Sequence, residues 1–323
     1  MRPYAHNAMT TVVLAGFIKD QVEELTRTFP LAKFRIFQSD ESHDYQADAV
    51  IAVHRSAFDA VFDSGLLKTC KGLRWVHIPA AGIENYFGPE LQNLPYTLTN
   101  GKIIQGPEVA DHAMALLLSL TRRIVHVARG IPRASIPHPT ELHGKTAVII
   151  GGGGIGMGIA ERVHSFGMSV IVVTETNLPV VSFIHERVFA DKLLEALPRA
   201  DAVFVAAPLT TSTRKMLDRQ ALEVMKPAAY LINVSRGAII DTDALVEVLE
   251  GKHLSGVGLD VTDPEPLPSD HPLRKFDNVI ISPHIAGMSD GFGRRNMELI
   301  ATNIRRFLSN HPLINVVDRT LGY

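Results

Sequence analysis

The sequence predicts an α/β protein built on doubly wound parallel sheets, and three observations carry that prediction. Short runs of β-forming residues alternate with stretches of helix-forming composition along most of the 323 residues. The alternation restarts at Thr146 after a proline-rich connector, so two sheets are expected rather than one. A glycine-rich turn at 151–156 stands at the first strand-to-helix junction of the second series, the place where such turns receive phosphate groups.

In the first series, residues 11–15, 33–37, 49–53 and 73–78 read as strands, with a helix-forming stretch at 21–28 between the first two. The fourth strand ends at Pro79-Ala80-Ala81-Gly82, a turn whose backbone N–H groups can face a ligand. Residues 107–127 read as one long helix, apolar at its centre. Residues 131–139, with Pro132, Pro137 and Pro139, read as an exposed connector. The second series places strands at 146–150, 170–173, 202–206, 230–234, 256–260 and 279–282, which suits one doubly wound nucleotide-binding sheet. A last helix at 294–308 is left over once that sheet is complete, and it is expected to return to the first domain.

Composition narrows the function classes. A formal net charge of −2 gives no reason to expect nucleic acid as a partner. The longest apolar run, 113–120, lies between Asp111 and Arg122-Arg123 and falls well short of the roughly 20 residues a membrane span needs. Residues 1–10 lack the basic-then-apolar pattern of a signal segment, so a cytoplasmic location is the default. The single cysteine, Cys70, follows Leu66, Leu67 and Lys68 and reads as a core-edge residue rather than a nucleophile. No metal ion is expected.

The turn carries G-x-G-x-x-G at Gly151, Gly153 and Gly156, preceded by five β-formers and followed by a helical stretch. The first glycine permits the tight turn, the second lets the backbone approach a pyrophosphate, and the third lets helix and strand pack closely. Gly154 and Ile155 complete the candidate loop, although neither Gly152 nor Gly154 has a separate role in the pattern. An acidic residue should end the next strand if a ribose 2′-hydroxyl is to be held. Thr174 stands there instead, with Glu175 beside it. The Glu175 charge opposes a 2′-phosphate and no arginine lies at 174–177, which favours NAD without excluding NADP.

Three further segments place chemistry at successive strand ends of the second series. Arg236 lies in Asn233-Val234-Ser235-Arg236-Gly237, Glu265 follows Asp260-Val261 in a proline-flanked stretch, and His284 lies in Pro283-His284-Ile285-Ala286-Gly287. Singly each reads as a surface or loop residue. Together they fall at the carboxyl edge where doubly wound sheets bind ligands.

With Val109-Ala110-Asp111-His112-Ala113, Leu142-His143-Gly144-Lys145-Thr146 and Ala207-Pro208-Leu209-Thr210, these motifs closely resemble the D-isomer-specific 2-hydroxyacid dehydrogenase family. The resemblance runs from about Ile78 to Gly287. It implies a central Rossmann dinucleotide domain at 101–289 and a flavodoxin-like substrate domain assembled from 1–100 and 290–323. It also implies a dimer formed through the central domain, and hydride transfer between a nicotinamide cofactor and a small 2-hydroxy or 2-keto acid. By the same resemblance His284 is the acid–base group, Glu265 its partner and Arg236 the anchor of the substrate carboxylate. Asp260 is the residue that meets the nicotinamide amide, and Ala81 and Gly82 grip the substrate carboxylate. Ala207, Pro208, Val234 and Gly287 complete the cofactor-binding set.

The chemistry suits those residue types. Reducing a keto acid requires a proton at the carbonyl oxygen as hydride reaches carbon, which an imidazolium can deliver near neutral pH. A guanidinium fork matches a carboxylate better than an ammonium does. Arg55, His77 and Lys102 are candidates for lining the side-chain pocket. Asn100-Gly101-Lys102 and the short connector at 130–142 depart from the family's usual pattern. The end of the chain at Tyr323 leads us to expect no regulatory domain of the kind found in longer phosphoglycerate dehydrogenases. A dinucleotide-sensing corepressor on the same fold is the competing function. Formate dehydrogenases are disfavoured because they carry glutamine at the place of Glu265.

Overall fold

The computed structural model describes residues 9–39, 46–83, 86, 95–175, 177 and 181–319. They fall into two compact units, one drawn from 1–104 together with 290–323, the other from 105–289.

The first unit holds a five-stranded sheet of β1 (Thr10–Ala15), β2 (Ala32–Ile36), β3 (Ala49–Ala52), β4 (Trp75–Ile78) and β5 (Thr97–Asn100), in the order β2-β1-β3-β4-β5. Every pairing is parallel, so crossovers cover both faces and the central strands are apolar on both faces apart from the buried His77 of β4. Val13, Val50, Val76 and Leu98 pack with Phe58 and Val61 on one face. Val12, Leu14, Ile51 and Trp75 pack on the other with Leu25, Phe29, Ile300 and Ile304. The last two belong to the C-terminal helix Phe292–Leu308, which therefore returns to this sheet as expected. The strand β5 was not anticipated. Its sequence Thr-Leu-Thr-Asn lacks an apolar run, and pairing with β4 rather than local preference makes it a strand.

The second unit holds seven parallel strands, one more than the sequence suggests: β6 (Thr146–Ile150), β7 (Ser169–Val173), β8 (Glu186–Val188), β9 (Ala202–Val205), β10 (Tyr230–Asn233), β11 (Gly256–Leu259) and β12 (Val279–Ile281). The order is β12-β11-β10-β9-β6-β7-β8, so the chain reverses direction across the sheet between β6 and β9. Ligands of such sheets bind outside the strand carboxyl ends at that switch point, and the glycine turn follows β6 there. The additional strand β8 is an edge of three residues of which only Val188 is buried, too short to announce itself by periodicity.

The expected single helix at 107–127 is two, Gly106–Thr121 and Ile124–Ala128, because Arg123 adopts a left-handed conformation with φ 59°. Residues 131–139 are exposed apart from the half-buried Ile136, with one short 3-10 turn at Arg133–Ser135. Among the described residues no helix is long and apolar enough to cross a membrane.

Candidate active site

The glycine turn meets each steric demand of its motif. Gly151 has φ 110°, and a Cβ there would stand 2.6 Å from the Ala207 nitrogen. A Cβ on Gly156 would stand 1.8 Å from the Gly151 oxygen, so only glycine lets the helix Gly154–Ser165 begin this close to β6. A Cβ on Gly153, by contrast, would meet nothing within 4 Å. The backbone there borders open space at a helix N-terminus, as a phosphate-binding turn requires. The residues present therefore fit a dinucleotide.

Behind the turn, Gly158 and Gly106, which the sequence reading did not single out, let two helices touch. The would-be Cβ of Gly106 lies 3.1 Å from the Gly154 oxygen, and that of Gly158 lies 3.2 Å from the Ala110 Cβ. Arg162 bridges the pair by donating to Asp111 Oδ1 at 2.7 Å, the Gly158 oxygen at 3.0 Å and the Pro107 oxygen at 3.2 Å. Beside the turn, Ser235 Oγ donates to the Ala207 carbonyl, and Thr213 Oγ1 donates to the Pro208 carbonyl at 2.7 Å.

At the tip of β7, Thr174 is buried, and the Gly151 N–H donates to the Val173 oxygen at 2.8 Å. Glu175 does not stand free: its Oε1 accepts the Ala190 N–H at 3.0 Å. No arginine lies at 174–177, but one reaches this tip from the adjacent strand. It comes from β8, where Arg187 donates to the Glu175 oxygen and to Asn177 Oδ1, both at 3.2 Å.

Asp260 organises the loop after β12. Its Oδ1 accepts Ser282 Oγ at 2.6 Å and the Ile285 N–H at 3.0 Å, and its Oδ2 accepts the Ala286 N–H at 2.9 Å. His112 Nε2 lies 2.8 Å from Ser282 Oγ and 3.4 Å from Asp260 Oδ1. Burial alone would raise this carboxyl, but the hydrogen bonds from His112, Ser282, Ala286 and Ile285 outweigh it and hold the pKa at about 2. The expected contact with a nicotinamide amide is thus joined by a structural duty. Gly287 ends the loop against Gln105, whose Nε2 would lie 2.6 Å from an added Cβ.

The same loop presents His284 at φ 54°, its N–H donated to the Asp260 carbonyl at 2.9 Å. His284 Nδ1 lies 2.6 Å from Glu265 Oε1. A carboxylate accepts only, so Nδ1 carries a proton and Nε2 is the nitrogen left to exchange one. Arg236 follows Val234 in the turn after β10. There the Asn233 side chain ties the turn by donating to the Arg236 carbonyl at 2.9 Å and accepting the Ser235 N–H at 3.0 Å. The adjoining Gly237 presses on the β11 loop, where a Cβ would stand 2.0 Å from the Thr262 carbonyl carbon. That contact brings the Arg236 turn against the segment that leads to Glu265.

In the first unit, the turn holding Ala81 and Gly82 follows β4. Asn100 Nδ2 donates to the Ala81 carbonyl at 2.9 Å, and the Gly101 N–H donates to the Ala80 carbonyl at 3.0 Å. The unusual Asn100-Gly101 pair therefore braces this turn. His77 is not a lining residue: it is wholly buried, with Nδ1 2.9 Å from Thr99 Oγ1, and burial pushes its pKa down to about 4. Lys102 Nζ donates to the Val316 carbonyl at 2.9 Å, and Arg55 lies 6.0 Å from the Tyr86 ring. Cys70 packs at the core edge with its thiol pKa raised, chiefly by burial.

Comparison with known proteins agrees with this architecture. Residues 114–286 match the family model of the D-isomer specific 2-hydroxyacid dehydrogenase NAD binding domain. A glyoxylate reductase of Thermofilum pendens is 34% identical over 251 residues, 75% of this chain and 74% of that protein. A glyoxylate reductase of Pyrococcus horikoshii is 35% identical over 269 residues, 80% of each chain. A D-isomer specific 2-hydroxyacid dehydrogenase family protein of Aeromonas salmonicida superposes with a TM-score of 0.79 at 27% identity, covering 97% of this chain and all of that one. One from Xanthobacter autotrophicus, in complex with NADPH and MES, shares the fold with a TM-score of 0.82 at 24% identity, covering 98% of this chain and 100% of that one. A central sheet with a dinucleotide turn at its switch point, a matching family model and relatives of this identity lead to one conclusion: the chain belongs to the D-isomer specific 2-hydroxyacid dehydrogenase family, as an NAD(P)-dependent oxidoreductase.

Proposed function

We propose that the protein interconverts a small 2-keto acid and its D-2-hydroxy acid, with His284 as the acid–base residue. The observation that carries the proposal is the 2.6 Å contact between His284 Nδ1 and Glu265 Oε1. It fixes the ring so that Nε2 can give a proton to a carbonyl oxygen or take one from a hydroxyl. Glu265 holds the ring in that orientation through the Nδ1 contact. Arg236 offers a fork of donors to the substrate carboxylate and draws charge from the adjacent carbonyl. The main-chain N–H groups at Ala81 and Gly82 are proposed to bind a substrate carboxylate.

The nicotinamide cofactor, when bound, supplies or accepts the hydride. Gly151, Gly153, Gly154, Ile155 and Gly156 would hold its pyrophosphate, Thr174 and Glu175 its ribose, and Ala207, Pro208, Val234, Asp260 and Gly287 the remainder. The glyoxylate reductases among its relatives make glyoxylate the first substrate to try. A homodimer is assigned through the central unit, where Ile124 and Val127 are apolar and more than half exposed.

His284→Ala tests the reading. Turnover of 2-keto acids should fall by about 10²–10⁴-fold, while dinucleotide binding, followed by fluorescence, persists. Near-normal turnover on glyoxylate, hydroxypyruvate and bulkier keto acids would remove His284 from the mechanism.

A further inference from the structure

We propose that Arg187 makes this site a receptor for a 2′-phosphorylated dinucleotide, so that NADPH binds in preference to NADH. The inference rests on the proposed dinucleotide site and adds a determinant that the sequence around the strand tip does not contain.

A ribose-selective site of this fold places a carboxylate at the end of its second strand, where it takes the 2′-hydroxyl and repels a phosphate. Here that residue is the neutral, buried Thr174. The neighbouring Glu175 has one carboxylate oxygen drawn to the Ala190 N–H at 3.0 Å. The acidic charge at the tip is therefore displaced from the expected position and partly answered by a backbone donor.

A cation takes up the same ground. Arg187 lies on β8, which runs parallel to β7 with Arg187 opposite Val172. Val188 points into the core and Arg187 to the opposite face. The guanidinium packs over the Phe189 ring at 4.3 Å, and two of its N–H groups donate to the Glu175 oxygen and Asn177 Oδ1. A guanidinium has five N–H donors. One N–H on each Nη thus has no hydrogen-bond acceptor among the described residues, while the Nε–H is buried in the packing that fixes the plane. A planar cation held by an aromatic ring and by the tip backbone, with donors to spare, is organised to receive a phosphate dianion in fork geometry. The Gly151 N–H bond to the Val173 oxygen ties this tip to the pyrophosphate turn, so both phosphate positions belong to one edge of one sheet.

Dinucleotide binding, measured by fluorescence and calorimetry without substrate, tests the inference in the parent, Arg187→Gln and Arg187→Lys. The parent should bind NADPH at least about 10-fold tighter than NADH, and 2′,5′-ADP tighter than 5′-AMP by a similar factor. Glutamine keeps one donor group but loses the charge-assisted partner of the fork, so Arg187→Gln should lose about 10–100-fold in NADPH affinity. Its NADH affinity should change less than about 3-fold, which also reports that the fold is intact, and Arg187→Lys should recover part of the loss. A parent that prefers NADH, or a glutamine variant that weakens both dinucleotides equally, would show Arg187 to be only a clamp on the β7 tip and overturn the inference. Failure of every dinucleotide to bind the parent would instead overturn the site itself, and this inference with it.

Discussion

Replacing Asp260 with asparagine should loosen the loop that carries His284. The aspartate accepts Ser282 Oγ and the Ile285 N–H on one oxygen and the Ala286 N–H on the other. Asparagine keeps one of those oxygens and sets an NH₂ group where the second stood, pointing donor at donor. Losing a hydrogen bond to a charged acceptor and leaving the Ala286 N–H without one should together cost about 2–4 kcal/mol. At roughly 2–4 °C per kcal/mol for a unit of this size, Tm should fall by roughly 4–16 °C.

Acid offers an independent check. The carboxyl is held at about 2 against an ordinary 3.8, and its side chain is 1% exposed. Its stabilisation is therefore complete above the ordinary value and is lost as pH falls from 3.8 toward 2. The full amount is roughly 2.5 kcal/mol, and the asparagine variant should lack that part of the acid transition. Calorimetry at pH 7, with denaturant titrations between pH 5 and pH 2 (about the range in which the carboxyl titrates), reads both effects. A Tm within about 2 °C of the parent, with an unchanged acid profile, would refute the idea that this carboxylate holds the loop.

Further outcomes follow from other contacts. Glu265→Gln keeps an acceptor for His284 Nδ1 but removes the charge, so turnover should fall by roughly 10²-fold with little change in the KM for keto acid; equal turnover would detach Glu265 from catalysis. Gly156→Ala forces a methyl against the Gly151 carbonyl and should cost about 3 kcal/mol or more. Gly153→Ala meets no atom, so it should leave Tm nearly unchanged while weakening dinucleotide binding; equal thermal effects in these two variants would contradict the geometry of the turn. His77, neutral and buried with its pKa near 4 against an ordinary 6.5, stabilises the fold above pH 6.5 and loses that contribution as pH falls toward 4. About 2 kcal/mol should disappear between pH 6.5 and roughly pH 5, and denaturant titration of His77→Gln should lack that slope.

The parallel sheets were readable because strands buried on both faces are apolar throughout, as in Val-Val-Leu-Ala of β1 or Ala-Val-Ile-Ala of β3. The strands β5 and β8 were not, since Thr-Leu-Thr-Asn and Glu-Arg-Val owe their conformation to a neighbour rather than to their own pattern. The glycine turn was legible for a similar reason: its glycines answer local backbone demands, and local demands leave marks at fixed spacing. The closeness of His284 to Glu265 was reachable only through the family resemblance, because the contact joins two loops 19 residues apart. Arg187 is not legible at the strand tip because residues 174–177 hold no cation and the sheet carries one in from the adjacent strand. His77 looked like a ligand-facing polar residue, yet the pleat turns it inward toward Thr99. A signal did exist in the flanking Trp75, Val76 and Ile78, which make that strand apolar on both faces.

The glycine contact between the helices Gly106–Thr121 and Gly154–Ser165, cross-tied by Arg162, has a thermodynamic consequence for ligand capture. The contact braces the glycine turn from behind, so a turn proposed to receive a pyrophosphate is held by its own packing rather than by a ligand. Such bracing should lower the free energy that association spends on ordering the receptor. The helix that begins at Gly106 also starts the central unit, so the stiffness of the turn is inherited from the segment by which the chain first enters that unit. A side chain introduced at Gly106 or Gly158 would therefore show itself as slower and weaker dinucleotide uptake, although neither glycine lies within the turn.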